Sequence, residues 1–223
     1  MTELPTPTSL DHVALWVADR DAIAALAYER LGMHEIERTD KFTLAGADAR
    51  RFKLTLFDAP GPRDPGALAG VVLRVSDLGP AVPDADGIAW IDAPEGLRLG
   101  LIERETDLEF DLDHVVLRVA DVEESATALA SLGFERIGDG PALRVAGAEV
   151  RLVGGGAPEG DRPLLNHIAV LVDSAAAVEA AARERGAEIA DVVDAANTLA
   201  VFLWTPGRIK VEYVEHKASF SLV

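Results

Sequence analysis

Few residues in this chain could do chemistry. Among 223 residues there are five histidines (His12, His34, His114, His167 and His216) and no cysteine. Thiolate metal sites, disulfides and cysteine nucleophiles are therefore excluded, and any metal must be held by His, Asp and Glu. Two histidines open similar segments, "LDHVVLRVAD" with His114 and "LNHIAVLVDS" with His167. Near the C-terminus "TPGRIKVEYVEH" offers Glu212. All three stretches alternate like strands. Pleat parity puts Val115, Leu117 and Val119, then Ile168, Val170 and Val172, then Ile209, Val211 and Tyr213, on one face. His114, His167 and Glu212 fall on the opposite face. Two neutral imidazoles and one carboxylate meeting on a concave surface would make a facial set that leaves adjacent coordination positions open. Fe(II) is the typical occupant of such a set when O₂ chemistry follows. The positive charge left over could hold a chelating anion and acidify its hydroxyl groups. By the same parity Arg118 and Arg151 face the site and could hold a substrate carboxylate. Phe202 and Trp204 could wall an aromatic ring.

The elements that must position these residues recur along the chain. "LDHVALWVADRD" from Leu10, "AGVVLRVSDL" from Ala69, "LDHVVLRVADVE" from Leu112 and "LNHIAVLVDS" from Leu165 each read as a strand ending at an Asp. Three are followed by a helical stretch with an Asp or Ser suited to N-capping and a Gly where the helix should stop. The second is followed by "SDLGPAVPDADG", whose prolines and glycines forbid a helix. Short strand-like runs complete each unit. The predicted fold is α+β: tandem βαβββ modules forming two curled mixed-sheet cups, with the second module degenerate. The acidic stretch 103–113 divides the chain into residues 1–108, a module pair without a metal site, and residues 109–223, a pair with one. "GGGAPEGDRP" (154–163) is read as a loop between modules three and four. Gly70 replaces the His in module two, and a shared-glycine alignment sets Leu101 opposite Glu212. His12 is then left without partners and is read as structural, His34 as a surface residue, and His216 as lying outside the site.

The repeat unit, the strand starts at His114 and His167 and the closing "TPGRIKVEYV" resemble the vicinal oxygen chelate superfamily of glyoxalases, bleomycin-resistance proteins and type I extradiol dioxygenases. Four modules in one chain resemble the extradiol dioxygenases best. The resemblance implies a metal-free N-terminal pair and a C-terminal pair that binds Fe(II), with Mn(II) or another divalent metal as the alternative, through His114, His167 and Glu212. It implies a catechol-like vicinal diol as substrate and O₂ as co-substrate. The usual second-sphere histidines of such dioxygenases have no counterpart here, and Phe202 stands at the position of their tyrosine. Two other readings stay open. One is a glyoxalase-like isomerase, epimerase or lyase, which would want a second carboxylate in a region where Arg151 is expected. The other is a metal-free binding or resistance protein.

Composition bounds the rest. With 49% hydrophobic and 26% charged residues the profile is that of a folded globular chain. A net charge of −17 argues against nucleic acid and anionic membrane as partners. No apolar run approaches a membrane span and the start has no leader pattern, so a cytoplasmic location is expected. Exposed sheet edges would allow homo-oligomers.

Overall fold

The computed structural model describes residues 3–61, 64–155 and 162–222. Four modules follow one another. The first contains β1 (Ser9–Val17), α1 (Arg20–Leu31), β2 (His34–Arg38), β3 (Phe42–Gly46) and β4 (Lys53–Asp58). The second, without an α-helix, contains β5 (Leu68–Val75), β6 (Ile88–Asp92) and β7 (Arg98–Glu103). The third contains β8 (Phe110–Val119), α2 (Val122–Ser131), β9 (Glu135–Arg136), β10 (Ala142–Val145) and β11 (Ala148–Gly154). The fourth contains β12 (Leu165–Leu171), α3 (Ala175–Arg185), β13 (Ile189–Asp194), β14 (Thr198–Trp204) and β15 (Lys210–His216).

The helices start and stop where their polar residues dictate. The side chains of Asp19, Asp121 and Ser174 accept from the backbone N–H groups of Ala22, Glu124 and Ala177, filling donors that a helix start leaves open. Gly32 and Gly186 end α1 and α3 in the left-handed conformation. The stretch 103–113 is only partly a connection, since β8 begins at Phe110. Of the expected loop 154–163, residues 156–161 lie outside the described residues.

The sheets pair the modules in an order the repeat did not announce. The larger sheet runs β13-β14-β15-β12-β1-β4-β3-β2, and the smaller β6-β7-β5-β8-β11-β10-β9. Module one therefore joins module four through antiparallel β1 and β12, and module two joins module three through β5 and β8. This corrects the expected division at 108/109 into an N-terminal and a C-terminal pair. The physical reason is that all four first strands present alike apolar, β-branched edges, so local pattern does not choose which two meet. The apolar faces of both sheets and all three helices share one core cluster, including Leu15, Leu56, Leu73, Leu117, Ile168 and Tyr213. The Tyr213 hydroxyl donates to the Leu132 carbonyl at the end of α2 (2.6 Å). Each sheet therefore turns its polar-bearing face away from that core.

Candidate metal centre in the larger sheet

β1 and β12 bring together the two histidines nearest the middle of the larger sheet. His12 lies across from Ala169, and His167 across from Ala14. β15 runs parallel on the far side of β12, with Glu212 beside Ala169. His12 Nε2 is 3.1 Å from His167 Nε2 and 3.1 Å from the Glu212 carboxylate, and His167 Nε2 is 2.8 Å from the same oxygen. All three residues are buried. Donors bonded to one metal at about 2.1 Å lie about 3.0 Å apart at right angles and about 3.4 Å apart in a tetrahedron. The observed spacing matches three adjacent corners of an octahedron. These residues fit a divalent metal.

The histidines are aimed by backbone irregularities. The β1–β12 register slips between Leu10 and His12 and again between Ala14 and Leu15, leaving Asp11 and Asn166 as bulged residues. A bulge lets neighbouring side chains reach the same side of the sheet. Asp11 accepts from His12 Nδ1 (2.7 Å), and Asn166 Oδ1 lies 3.1 Å from His167 Nδ1. With Nδ1 engaged in this way, Nε2 of each ring is turned to the common centre, as outer partners of metal-binding histidines do. Asp11 is held in turn by the Lys53 ammonium (2.9 Å) and by His216 Nε2 (3.0 Å), and His216 stacks on Phe220.

Charge follows from these contacts. Burial would lower His12, but Glu212 and Asp11 outweigh it and raise it to about 9. Burial lowers His167 against the pull of Glu212. Burial works against ionised Glu212, yet the two imidazoles hold its carboxyl down at about 2. Asp11 lies well below 3.8 despite its burial because Lys53, His12 and His216 surround it. Both carboxylates are thus ionised, as a cation site requires.

Several sequence expectations change here. His114 is not part of the cluster. It lies on β8 in the smaller sheet, where its Nδ1 meets Asp113 (2.6 Å) and its Nε2 faces the Arg151 guanidinium (3.2 Å). His12 takes the place expected for His114, because module one and not module three joins module four. His216 does serve the site, through Asp11. Arg118 and Arg151 both belong to the smaller sheet, and the Arg118 guanidinium reaches the Gly66 carbonyl at 3.5 Å. The register also sets Gly100, not Leu101, at the position matching Glu212. Gly100 pairs with Val72 as Glu212 pairs with Ala169. Phe202 does reach the site, its ring 5.1 Å from that of His167, and Trp204 lines the neighbouring cavity.

One residue had escaped the sequence reading. Modules one and four are related about the β1–β12 seam, and the mate of Glu212 is Thr55, which pairs with Ala14 on β4. Thr55 is buried, and among the described residues its hydroxyl has no hydrogen-bond partner. The alternation "KLTLF" in β4, with Leu54 and Leu56 in the core, was the available signal that Thr55 faces the cup. This face also carries aromatic residues. Trp16, Phe42 and Phe57 form a chain with ring centroids 5.3 and 5.8 Å apart.

Comparisons with known proteins agree with this architecture. Residues 111–211 match the family described as Glyoxalase/Bleomycin resistance protein/Dioxygenase superfamily. A Bacillus subtilis protein provisionally named a dioxygenase superposes with a TM-score of 0.78 at 17% identity, over 97% of this chain and 87% of that one. Glyoxalase I from Zea mays gives 0.71 at 22% identity, over 93% and 92%. The cppA protein of Streptococcus pneumoniae gives 0.64 at 12% identity, over 96% and 100%. At these identities the likeness is one of fold. No curated protein matches in sequence. Among the described residues no helix is long and apolar enough to cross a membrane.

Proposed function

We propose, from the match of residues 111–211 to the glyoxalase/bleomycin resistance protein/dioxygenase superfamily, that the protein is a metal-dependent enzyme acting on a small molecule with two adjacent oxygens. The reading preferred here is an extradiol-type dioxygenase that cleaves the ring of a catechol-like diol. The observation that supports it is the spacing of His12, His167 and Glu212, 2.8 to 3.1 Å between ligating atoms. A divalent metal, Fe(II) first and Mn(II) as the alternative, would supply a Lewis acid for the two oxygens and, as Fe(II), one-electron chemistry with O₂.

The chain's own groups do the rest. His12, His167 and Glu212 would hold the metal, and Ala14, paired with His167, is a small residue that projects little into the cup. Phe57 and Phe202 flank His167 and exclude water from a flat substrate. Thr55, on the strand beyond Ala14, offers a hydroxyl that can donate to or accept from a substrate oxygen. Lys53 and His216 hold Asp11, and Asp11 holds His12, so the donor set is rigid before anything binds.

A glyoxalase-like isomerase is the second reading, favoured by the likeness in fold to Zea mays glyoxalase I. Such chemistry wants a second carboxylate, and the seam mate of Glu212 is Thr55, not an acid. Arg151, in the other sheet, has no bearing on this. Protein purified without oxygen should contain close to one iron per chain and consume O₂ with a catechol. Thr55→Val should keep fold and metal while slowing turnover about tenfold, the size of one good hydrogen bond. Iron-loaded protein that takes up no O₂ across a panel of catechols would remove the dioxygenase reading. Exchange of a proton beside a carbonyl without O₂ would then favour the isomerase.

A further inference from the structure

A cavity of about 450 Å³ opens at the end of the larger sheet, lined by Trp16, Arg162, Asn166, Trp204, Arg208 and Lys210 among others. Three of its described lining residues are cations and none is an acid. That is unexpected in a chain with 38 acidic and 21 basic residues. The cavity adjoins the metal centre. Asn166 lines it and also holds His167, and Lys210 precedes Glu212 on the same face of β15.

The three cations are not equivalent. Arg208 stacks on Trp204 at 4.2 Å and is already paired with Glu188. Arg162 lies over Trp16 at 5.0 Å. Lys210 is half-buried, 5.7 and 5.5 Å from the ring centroids of Phe202 and Trp204, and forms no ion pair among the described residues. A partly desolvated ammonium among aromatic rings is a poor device for stability and a good one for recognising an anion with a flat apolar body. Its neighbour Glu212 is the nearest acid on its strand, and that charge is claimed by the histidines and by any metal they hold.

We propose that this cavity is the subsite for an anionic group of the substrate, a carboxylate on a small aromatic or planar body, with Lys210 as the charge that holds it. The inference rests on the metal-centre reading only for what lies at the other end of the substrate. The bound molecule would lie from the metal past His167 to Lys210, between Trp204 and Trp16.

The test is a titration of tryptophan fluorescence with benzoate and, as a neutral match, benzyl alcohol. Trp16 and Trp204 report the cavity, while Trp90 lies in the other sheet. Protein is used as purified and again after chelator treatment, with metal content measured on both. Benzoate should bind more tightly than benzyl alcohol in both samples, and its binding should weaken with salt. Lys210→Met should weaken benzoate about ten- to a hundredfold, the range for a charge-assisted hydrogen bond, and leave benzyl alcohol unchanged. Lys210→Arg should restore most of the loss. Should Lys210→Met fail to fold by circular dichroism, Arg162→Gln is expected to weaken benzoate in the same direction. Benzoate no tighter than benzyl alcohol, or benzoate binding untouched by Lys210→Met, overturns the proposal. So does binding that chelation abolishes and Lys210→Met leaves intact, since the carboxylate would then sit on the metal. An absence of metal in the purified protein defeats the proposed function while leaving this subsite standing.

Discussion

His12, Thr55, His167 and Glu212 in the larger sheet correspond, by strand register, to His114, Arg151, Gly70 and Gly100 in the smaller one. In both sheets a bulged Asp precedes the first histidine and meets its Nδ1, Asp11 at 2.7 Å and Asp113 at 2.6 Å. Beyond that the two diverge. Glycines replace two donors, and Trp90 fills the vacated space. A Cβ on Gly70 would lie 2.9 Å from the Trp90 ring, and one on Gly100 only 2.7 Å from Ile88. Trp90 pairs with Gly100 as Phe202 pairs with Glu212, so the aromatic neighbour of one site has become the plug of the other. Asp84 accepts from its indole N–H (2.8 Å) and Arg98 stacks on it at 4.2 Å. Arg151 donates to His114 Nε2, the nitrogen a metal would need. The same scaffold therefore yields a candidate cation site or a packed wall, according to the residues at three corresponding positions and one aromatic ring.

The comparison can be broken most directly by exchanging its two histidines. His12→Ala, His167→Ala and Glu212→Gln should each abolish stoichiometric metal, while His114→Ala should leave metal content unchanged, as read by metal analysis of purified protein. Loss of metal from His114→Ala alone would restore the C-terminal pair as the metal site. Next in size, Trp90→Ala should lower unfolding free energy by about 3 kcal/mol, because it empties the plugged cup, without changing metal content. Denaturant melts of metal-free and loaded protein would show this. Asp11→Asn should weaken metal binding about ten- to a hundredfold, as loss of an outer partner of a ligating histidine does. Asp113→Asn should leave metal binding alone, and competition with a chromogenic chelator separates the two.

The smallest effect concerns acid. Burial opposes ionised Asp113, but His114 and Arg104 hold its carboxyl below 3.8. The unfolded chain then binds the proton more readily, so Asp113 contributes stability above about pH 4 that fades as pH falls through its folded value. Asp113→Asn should flatten the acid limb of a stability–pH profile, and an unchanged slope would show that this carboxylate is not tied to its partners as described.

The module content, the missing helix of module two and the facing of His167, Glu212 and Phe202 were legible because period-2 alternation and capping residues are local. The residues before the histidines were legible only as letters. That Asp11, Asn166 and Asp113 are bulged, and so turn to the same side as the imidazoles they precede, depends on a register slip against a partner strand. One clue to the pairing did lie in the chain. Joining modules three and four would set Arg151 at the seam mate of Glu212, a guanidinium where a metal ion belongs, whereas joining modules one and four sets a neutral Thr55 there.

By itself the amino-acid order determined four strand-led modules, a set of His and carboxylate donors on their concave faces, and the absence of thiols. Only the tertiary structure decided which modules share a sheet, and with it that His12 and not His114 stands beside His167. The reason is physical. Side-chain alternation is written residue by residue, but pairing among near-identical strand edges is settled by packing summed over the whole chain.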